Sequence, residues 1–129
     1  MMKQNVVKKR VCVLEDDDDI REIIIFLLET ENYEVCSFAT VGAFMEGARD
    51  ARADAFVLDV MLPDGSGIEV CRILKANLST CTVPVVMMSA NYTKADVLHH
   101  CAAQDFISKP FDIGDFVHRV DNQAFGHIA

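Results

Sequence analysis

The sequence predicts an α/β domain in which five parallel strands form one sheet and five helices cover both of its faces. Three observations predict it. Short, continuous apolar runs alternate with stretches of helical period along the whole chain. The runs lack the in-and-out alternation of a sheet with one wet face, so each strand is covered on both sides. No linker, repeat or low-complexity tract divides the 129 residues, a length suited to one core. Parallel strands joined this way need right-handed crossovers.

Each element follows in order. Val11-Cys12-Val13-Leu14 is an apolar run bounded by charge, the first strand. An unbroken acidic run comes next, Glu15-Asp16-Asp17-Asp18-Asp19. Beyond it Ile20, Ile23, Ile24, Leu27 and Leu28 recur at the spacing of an amphipathic helix. Asp17, Asp18 and Asp19 open that helix, where a side-chain cap and the positive end of the dipole favour acids. Tyr33–Phe38 is the second strand, and Val41, Phe44, Met45 and Ala48 mark the second helix. Ala55-Phe56-Val57-Leu58 is the third strand and ends at Asp59. Pro63, Gly65 and Gly67 make the next stretch a loop, and a helix through about Ala76 carries Ile68, Cys71 and Leu74. Val83–Met88 is the fourth strand and ends at Ser89. A weaker helix covers roughly Lys94–Ala102. Phe106-Ile107 is a short fifth strand stopped by Lys109-Pro110, and Ile113, Phe116, Val117 and Val120 give the last helix.

Composition excludes several classes of function. The chain carries 12 Lys and Arg against 20 Asp and Glu, a net charge of −8 with a pI near 4.8. Such a surface repels phosphates, which argues against a direct grip on nucleic acid or anionic lipid. Of the basic residues, Lys3, Lys8, Lys9 and Arg10 all lie ahead of the first strand. Apolar residues make up 51%, enough for a core and against disorder. Ile23–Leu28, the longest strongly apolar stretch, is far short of the roughly 20 residues a bilayer requires. The basic start leads into an apolar run too short for a signal-peptide core. Cys12, Cys36, Cys71, Cys81 and Cys101 are odd in number and contain no C-x-x-C pair, so they read as reduced thiols of a cytoplasmic protein. His99 and His100 point about 100° apart on a helix and cannot chelate one metal as an i, i+4 pair does. They read, with His118 and His127, as solvated surface groups. Few residues follow the last helix, so no effector domain is expected within this chain.

In an open parallel sheet, ligands bind beyond the carboxyl ends of the strands, near the switch in strand order. Glu15 and Asp16 stand at that edge of strand one, Asp59 of strand three, Ser89 of strand four and Lys109 of strand five. Strand two offers only Ala39-Thr40, which is uninformative. Three carboxylates brought together repel one another unless a cation neutralises them. Few protein oxygens with retained waters suit Mg²⁺ better than Ca²⁺.

VCVLEDDDDIRE, FVLDVMLPDGSGIEVC, VPVVMMSA and DFISKPFD together resemble the signature segments of the receiver domain of two-component response regulators. The resemblance covers about residues 9–124, nearly the whole of a single domain spanning 1–129. It implies a (βα)5 flavodoxin-like fold with strand order 2-1-3-4-5. It implies that Asp59 accepts a phosphoryl group from a phosphohistidine on a sensor histidine kinase or phosphotransfer protein. Asp16, Asp59 and the backbone carbonyl of Met61 would hold Mg²⁺, with Glu15 acting through a bound water. Lys109 would pair with Asp59 before phosphorylation and neutralise the transferring phosphoryl group, to which Ser89 would donate a hydrogen bond. The Lys109-Pro110 bond would be cis. Ser89 and Phe106, the latter at the family's aromatic switch position, would change the face of the fourth helix, fifth strand and fifth helix for an unknown downstream partner or a homodimer. The chain would then be a phosphoacceptor that assists its own phosphorylation and dephosphorylation rather than an enzyme.

The sequence departs from the commonest family pattern at Glu15 in place of Asp, Ser89 in place of Thr and Phe106 in place of Tyr. The stretch between Ser89 and Lys109 is short, which predicts a short or irregular fourth helix. Met61 and Asn91 flank the site where family members tune phosphoryl lifetime. A haloacid-dehalogenase-like phosphatase is the enzymatic alternative, but it needs a second Asp where this chain has Met61. The glycines at 65 and 67 follow strand three and miss the third glycine of a dinucleotide fingerprint. A calcium loop fails because Ile20, Ile23 and Leu27 fall where oxygens or glycine are required. A pseudo-receiver that folds but is never phosphorylated is the remaining alternative.

Overall fold

The structure, a computed structural model, describes residues 8–126. Lys3 and His127 lie outside the described residues. The elements run β1 (Arg10–Leu14), α1 (Asp18–Thr30), β2 (Glu34–Phe38), α2 (Val41–Gly47), β3 (Ala55–Asp59), β4 (Met61–Leu62), β5 (Gly65–Ser66), α3 (Gly67–Ala76), β6 (Val85–Ser89), α4 (Lys94–His100), β7 (Asp105–Ser108) and α5 (Ile113–Ala124). The main sheet is parallel throughout, in the order β2-β1-β3-β6-β7. Counting its own strands alone, that is 2-1-3-4-5, the flavodoxin-like order expected. The two-residue strands β4 and β5 form a small antiparallel ribbon beside it.

Strand periodicity sorts the core into two layers. Cys12, Leu14, Phe56, Leu58, Val85, Met87 and Phe106 point to one face, where Phe44 of α2, Val70, Cys71 and Leu74 of α3 and Val97 of α4 cover them. Val11, Val13, Ala55, Val57, Val86, Met88 and Ile107 point to the other, under Ile24 and Leu28 of α1 and Phe116 and Val120 of α5. Every residue of β3 and β6 is buried, as continuous apolar runs require. β2 lies at the edge and is only partly covered.

Several boundaries differ from those read in the sequence. Arg10 is the first residue of β1 rather than a residue ahead of it. Tyr33 precedes β2, buried at 2% exposure, with its hydroxyl donating to Asp121 of α5. β6 begins after Pro84, whose missing N–H keeps it and Val83 out of the ladder, although its carbonyl accepts from Phe56. The fourth helix ends at His100, because Cys101 turns to extended backbone. All five cysteines are free, and burial pushes the thiols of Cys12 and Cys71 up to about 12. His99 and His100 are exposed. Among the described residues, no helix is long and apolar enough to cross a membrane.

Candidate functional site

The parallel sheet brings the ends of β1, β3, β6 and β7 to one edge. At β1 the ladder continues one residue further, with the Glu15 amide donating to Phe38 O at 3.0 Å, which carries the Glu15 side chain inward to complete burial. The acidic run then divides. Asp17 is the N-cap of α1 and accepts from Ile20 N at 2.9 Å, and Asp18 pairs with Arg21 at 2.6 Å. Asp16 is exposed at the rim.

Asp59 ends β3 and is 6% exposed. Its backbone is clasped by the start of α3, where Gly67 N donates to Val60 O at 2.8 Å. A Cβ at Gly67 would lie 1.8 Å from the Asp59 carbonyl oxygen, so only glycine permits this approach. The loop between them is tied to α2. Both carboxylate oxygens of Asp64 accept from the amides of Val41 and Gly42, at 2.8 and 3.0 Å. The Gly42 and Val41 amides hold the Asp64 carboxyl below the ordinary range. Thr40, uninformative in the sequence, caps the same helix by accepting from Ala43 N.

Ser89 ends β6 at 2% exposure, and its Oγ accepts from Asn91 N and Tyr92 N at 3.1 and 3.2 Å. The hydroxyl hydrogen is thereby left to donate elsewhere. Met61 is 53% exposed beside Asn91, whose amide nitrogen lies 3.3 Å from the Met61 sulfur. Lys109 follows β7, its amide donates to Ser89 O at 3.0 Å, and the Lys109–Pro110 bond is cis. Its Nζ lies 2.5 Å from Glu15 Oε1 and 3.3 Å from Asp59 Oδ2. The expected partner is therefore present, but Glu15 is the nearer of the two. Phe106 is 4% exposed, packed with the layer that holds Met87 and Val97.

Charge is crowded here. Burial pushes the Glu15 carboxyl up; the Lys109 hydrogen bond and the Asp17 amide oppose this, and the Asp59 charge adds to it. Burial likewise raises Asp59, with Lys109 opposing. Burial works against the Lys109 charge, yet the Glu15 hydrogen bond and the Asp59 charge carry its pKa above the ordinary value. One ammonium thus faces two buried carboxylates, with a third at the rim. Ligating oxygens of Glu15, Asp16 and Asp59 lie within 4.8 Å of one another. An all-oxygen set with surplus negative charge fits a hard divalent cation. Glu15 and Asp59, Asp16, Ser89 and Lys109 all meet at this edge. What sequence reasoning missed were the supports, Gly67, Asp64 and Thr40.

A family model described as response regulator receiver domain matches residues 11–121. The DNA-binding response regulator MtrA of Mycolicibacterium smegmatis is 31% identical over 118 residues, 90% of this chain and 50% of MtrA. The chain spans about half the length of the curated relatives it matches. Among solved structures, the signal receiver domain of a signal transduction histidine kinase from Syntrophus aciditrophicus superposes with a TM-score of 0.83 at 25% identity, covering 92% of this chain and 91% of that one. The receiver domain of sensor histidine kinase PA1611 from Pseudomonas aeruginosa PAO1 has a magnesium ion coordinated in its active-site cleft. It matches with a TM-score of 0.83 at 21% identity, covering 93% of this chain and all of that one, a likeness of fold alone.

Proposed function

This chain belongs to the response regulator receiver domain family of two-component systems, and from that premise we propose that Asp59 is its phosphoacceptor. The observation that carries the proposal is the near-buried Asp59 carboxylate, 3.3 Å from the Lys109 ammonium and one of three carboxylates, with Glu15 and Asp16, that could hold a metal ion. An Asp59 oxygen attacks phosphorus as the bond from phosphorus to the imidazole nitrogen of a donor phosphohistidine breaks, and the departing imidazole nitrogen takes a proton from solvent. Lys109 stabilises negative charge on the transferring oxygens, and Ser89 donates its free hydroxyl hydrogen to one of them.

Asp16 and Asp59, with the Met61 carbonyl, would hold Mg²⁺, and Glu15, whose two oxygens accept from Lys109 and from the Asp17 amide, would act through a bound water. When bound, the ion supplies Lewis-acid neutralisation of phosphoryl charge. The chain is a stoichiometric acceptor that assists its own dephosphorylation, not a turnover enzyme. It works in the cytoplasm, where its five thiols stay reduced.

Phosphorylation adds nearly two negative charges. We assign the response to Ser89, drawn toward the phosphoryl group, and to Phe106, which rotates into the space that Ser89 vacates, reshaping the α4–β7–α5 surface for a downstream partner, a second copy included. Arg119 of α5 bridges that surface to Asp105 of β7 at 2.8 Å and to Asp115 at 3.0 Å.

Intact-mass analysis after incubation with Mg²⁺ and acetyl phosphate tests the proposal. The parent gains one phosphoryl group and Asp59→Ala gains none. No gain in the parent, or equal gain in the variant, would overturn it.

A further inference from the structure

A cavity of about 390 Å³ opens at the opposite edge of the sheet, between the turn from α2 to β3 and the loop from α3 to β6. Arg49, Asp50 and Arg52 line it from the turn, and Ser79 and Thr80 from the loop. The chain has six arginines. Arg10, Arg21, Arg72 and Arg119 each pair with a carboxylate. Among the described residues, Arg49 and Arg52 are the two that make no ion pair, and both line this one cavity. In a chain of net charge −8, that leaves two unneutralised guanidiniums against the single carboxylate of Asp50.

The surroundings fix the walls. Lys75 donates through its ammonium to Val83 O at 2.7 Å and to Cys81 O at 3.5 Å, which ties the loop to α3. The turn is pinned to β1, since Arg10 donates to Ala51 O and Asp54 accepts from Arg10 N at 2.8 Å. Arg52 adopts a φ of 55°, a left-handed conformation that side chains other than glycine rarely take. The two hydroxyls are already donors, Ser79 to Asn77 at 2.8 Å and Thr80 to Leu74 O at 2.6 Å. They remain able to accept from hydroxyl or amine groups of a ligand. Phe56 and Val83 add apolar lining.

We propose that this cavity binds a nucleoside monophosphate, with Arg49 and Arg52 on the phosphate and the Ser79 and Thr80 oxygens accepting from the nucleoside. Planar guanidiniums suit phosphate oxygens, the volume falls in the range of small-molecule sites, and the apolar lining favours a base over a bare anion. The site is independent of phosphorylation at Asp59.

Calorimetric titration of the full chain with AMP, without divalent cation, and amide shifts in nitrogen-15 spectra test it. The expected result is binding with shifts confined to residues 49–53 and 79–83. Arg49→Gln and Arg52→Gln each weaken it about tenfold. Arg52→Gly, which suits the left-handed backbone, weakens it equally, separating charge from strain. The double variant Arg49→Gln, Arg52→Gln takes up a phosphoryl group from acetyl phosphate as the parent does, which shows that it folds. No binding at millimolar AMP, unchanged affinity in the double variant, or inorganic phosphate binding as tightly as AMP would each overturn the proposal.

Discussion

The two edges of one sheet handle charge in opposite ways. At the carboxyl edge, Glu15 and Asp59 are buried, share one ammonium and have raised pKa values. At the amino edge, Arg49 and Arg52 are exposed and, among the described residues, make no ion pair. The backbone supporting both edges is the same parallel ladder, so topology alone does not explain the contrast. Desolvation does: buried carboxylates interact strongly with one another, with Lys109 and with any cation, whereas water screens the exposed guanidiniums. Substitutions at the carboxyl edge should therefore have large effects and those at the amino edge small ones.

Lys109→Ala breaks the contrast most severely. Among the described residues it removes the one cation paired with the side-chain carboxylates of Glu15 and Asp59, and uptake of phosphoryl from acetyl phosphate should fall on the order of 100-fold or more. Initial rates followed by intact mass check this; a rate within a few-fold of the parent would remove Lys109 from the transfer. Asp16→Ala should weaken Mg²⁺ binding at least tenfold by titration, and unchanged affinity would mean the metal sits elsewhere. Gly67→Ala forces a methyl group against the Asp59 carbonyl and should cost about 2–3 kcal/mol in denaturant unfolding. A cost near zero would show that α3 can retreat from the site.

The pH dependence sharpens the contrast further. Glu15 and Asp59 have folded pKa values above their unfolded ones, so the folded chain holds these protons more tightly. Their contribution to stability is present below the ordinary carboxylate range and is lost as pH rises through the raised folded values. Without divalent cation, the parent should therefore lose stability relative to Glu15→Gln as pH climbs from that range to neutrality, and Mg²⁺ should narrow the gap. Melting curves of both proteins across that range, with EDTA and with Mg²⁺, read this directly. A gap that widens in the opposite sense would contradict the electrostatic account. The smallest effect is expected at the amino edge, where Arg49→Gln should change stability by about 0.5 kcal/mol or less and leave phosphoryl uptake unaltered.

The carboxyl edge was largely legible in the sequence because its chemistry stands at strand ends. Asp59 and Ser89 end continuous apolar runs, and the strands those runs form are covered on both faces as expected. The split of the acidic run was legible too, since Asp17 precedes a helical period and caps it. What escaped were contacts between segments distant along the chain. Nothing local marks Gly67 as the residue that must admit the Asp59 carbonyl, or Asp64 as an anchor for the amides of α2. Lys109 was expected on Asp59, and its shorter contact to Glu15 depends on how deeply Glu15 is drawn in by the ladder to Phe38. Tyr33 looked like strand because burial and aromatic character suit a sheet, yet it packs before the strand begins. The cavity at the amino edge left no trace in the sequence, because its arginines and hydroxyls come from two separate loops.

The central claim is that Asp59 is a metal-dependent phosphoacceptor. Borohydride reduction of acetyl phosphate-treated protein, followed by peptide mass mapping, tests it most directly, because an aspartyl phosphate is reduced to homoserine at the modified position. The account predicts homoserine at position 59 when Mg²⁺ is present and its near absence when EDTA replaces the ion. Homoserine at another acidic residue, or at position 59 to the same extent without divalent cation, would contradict it.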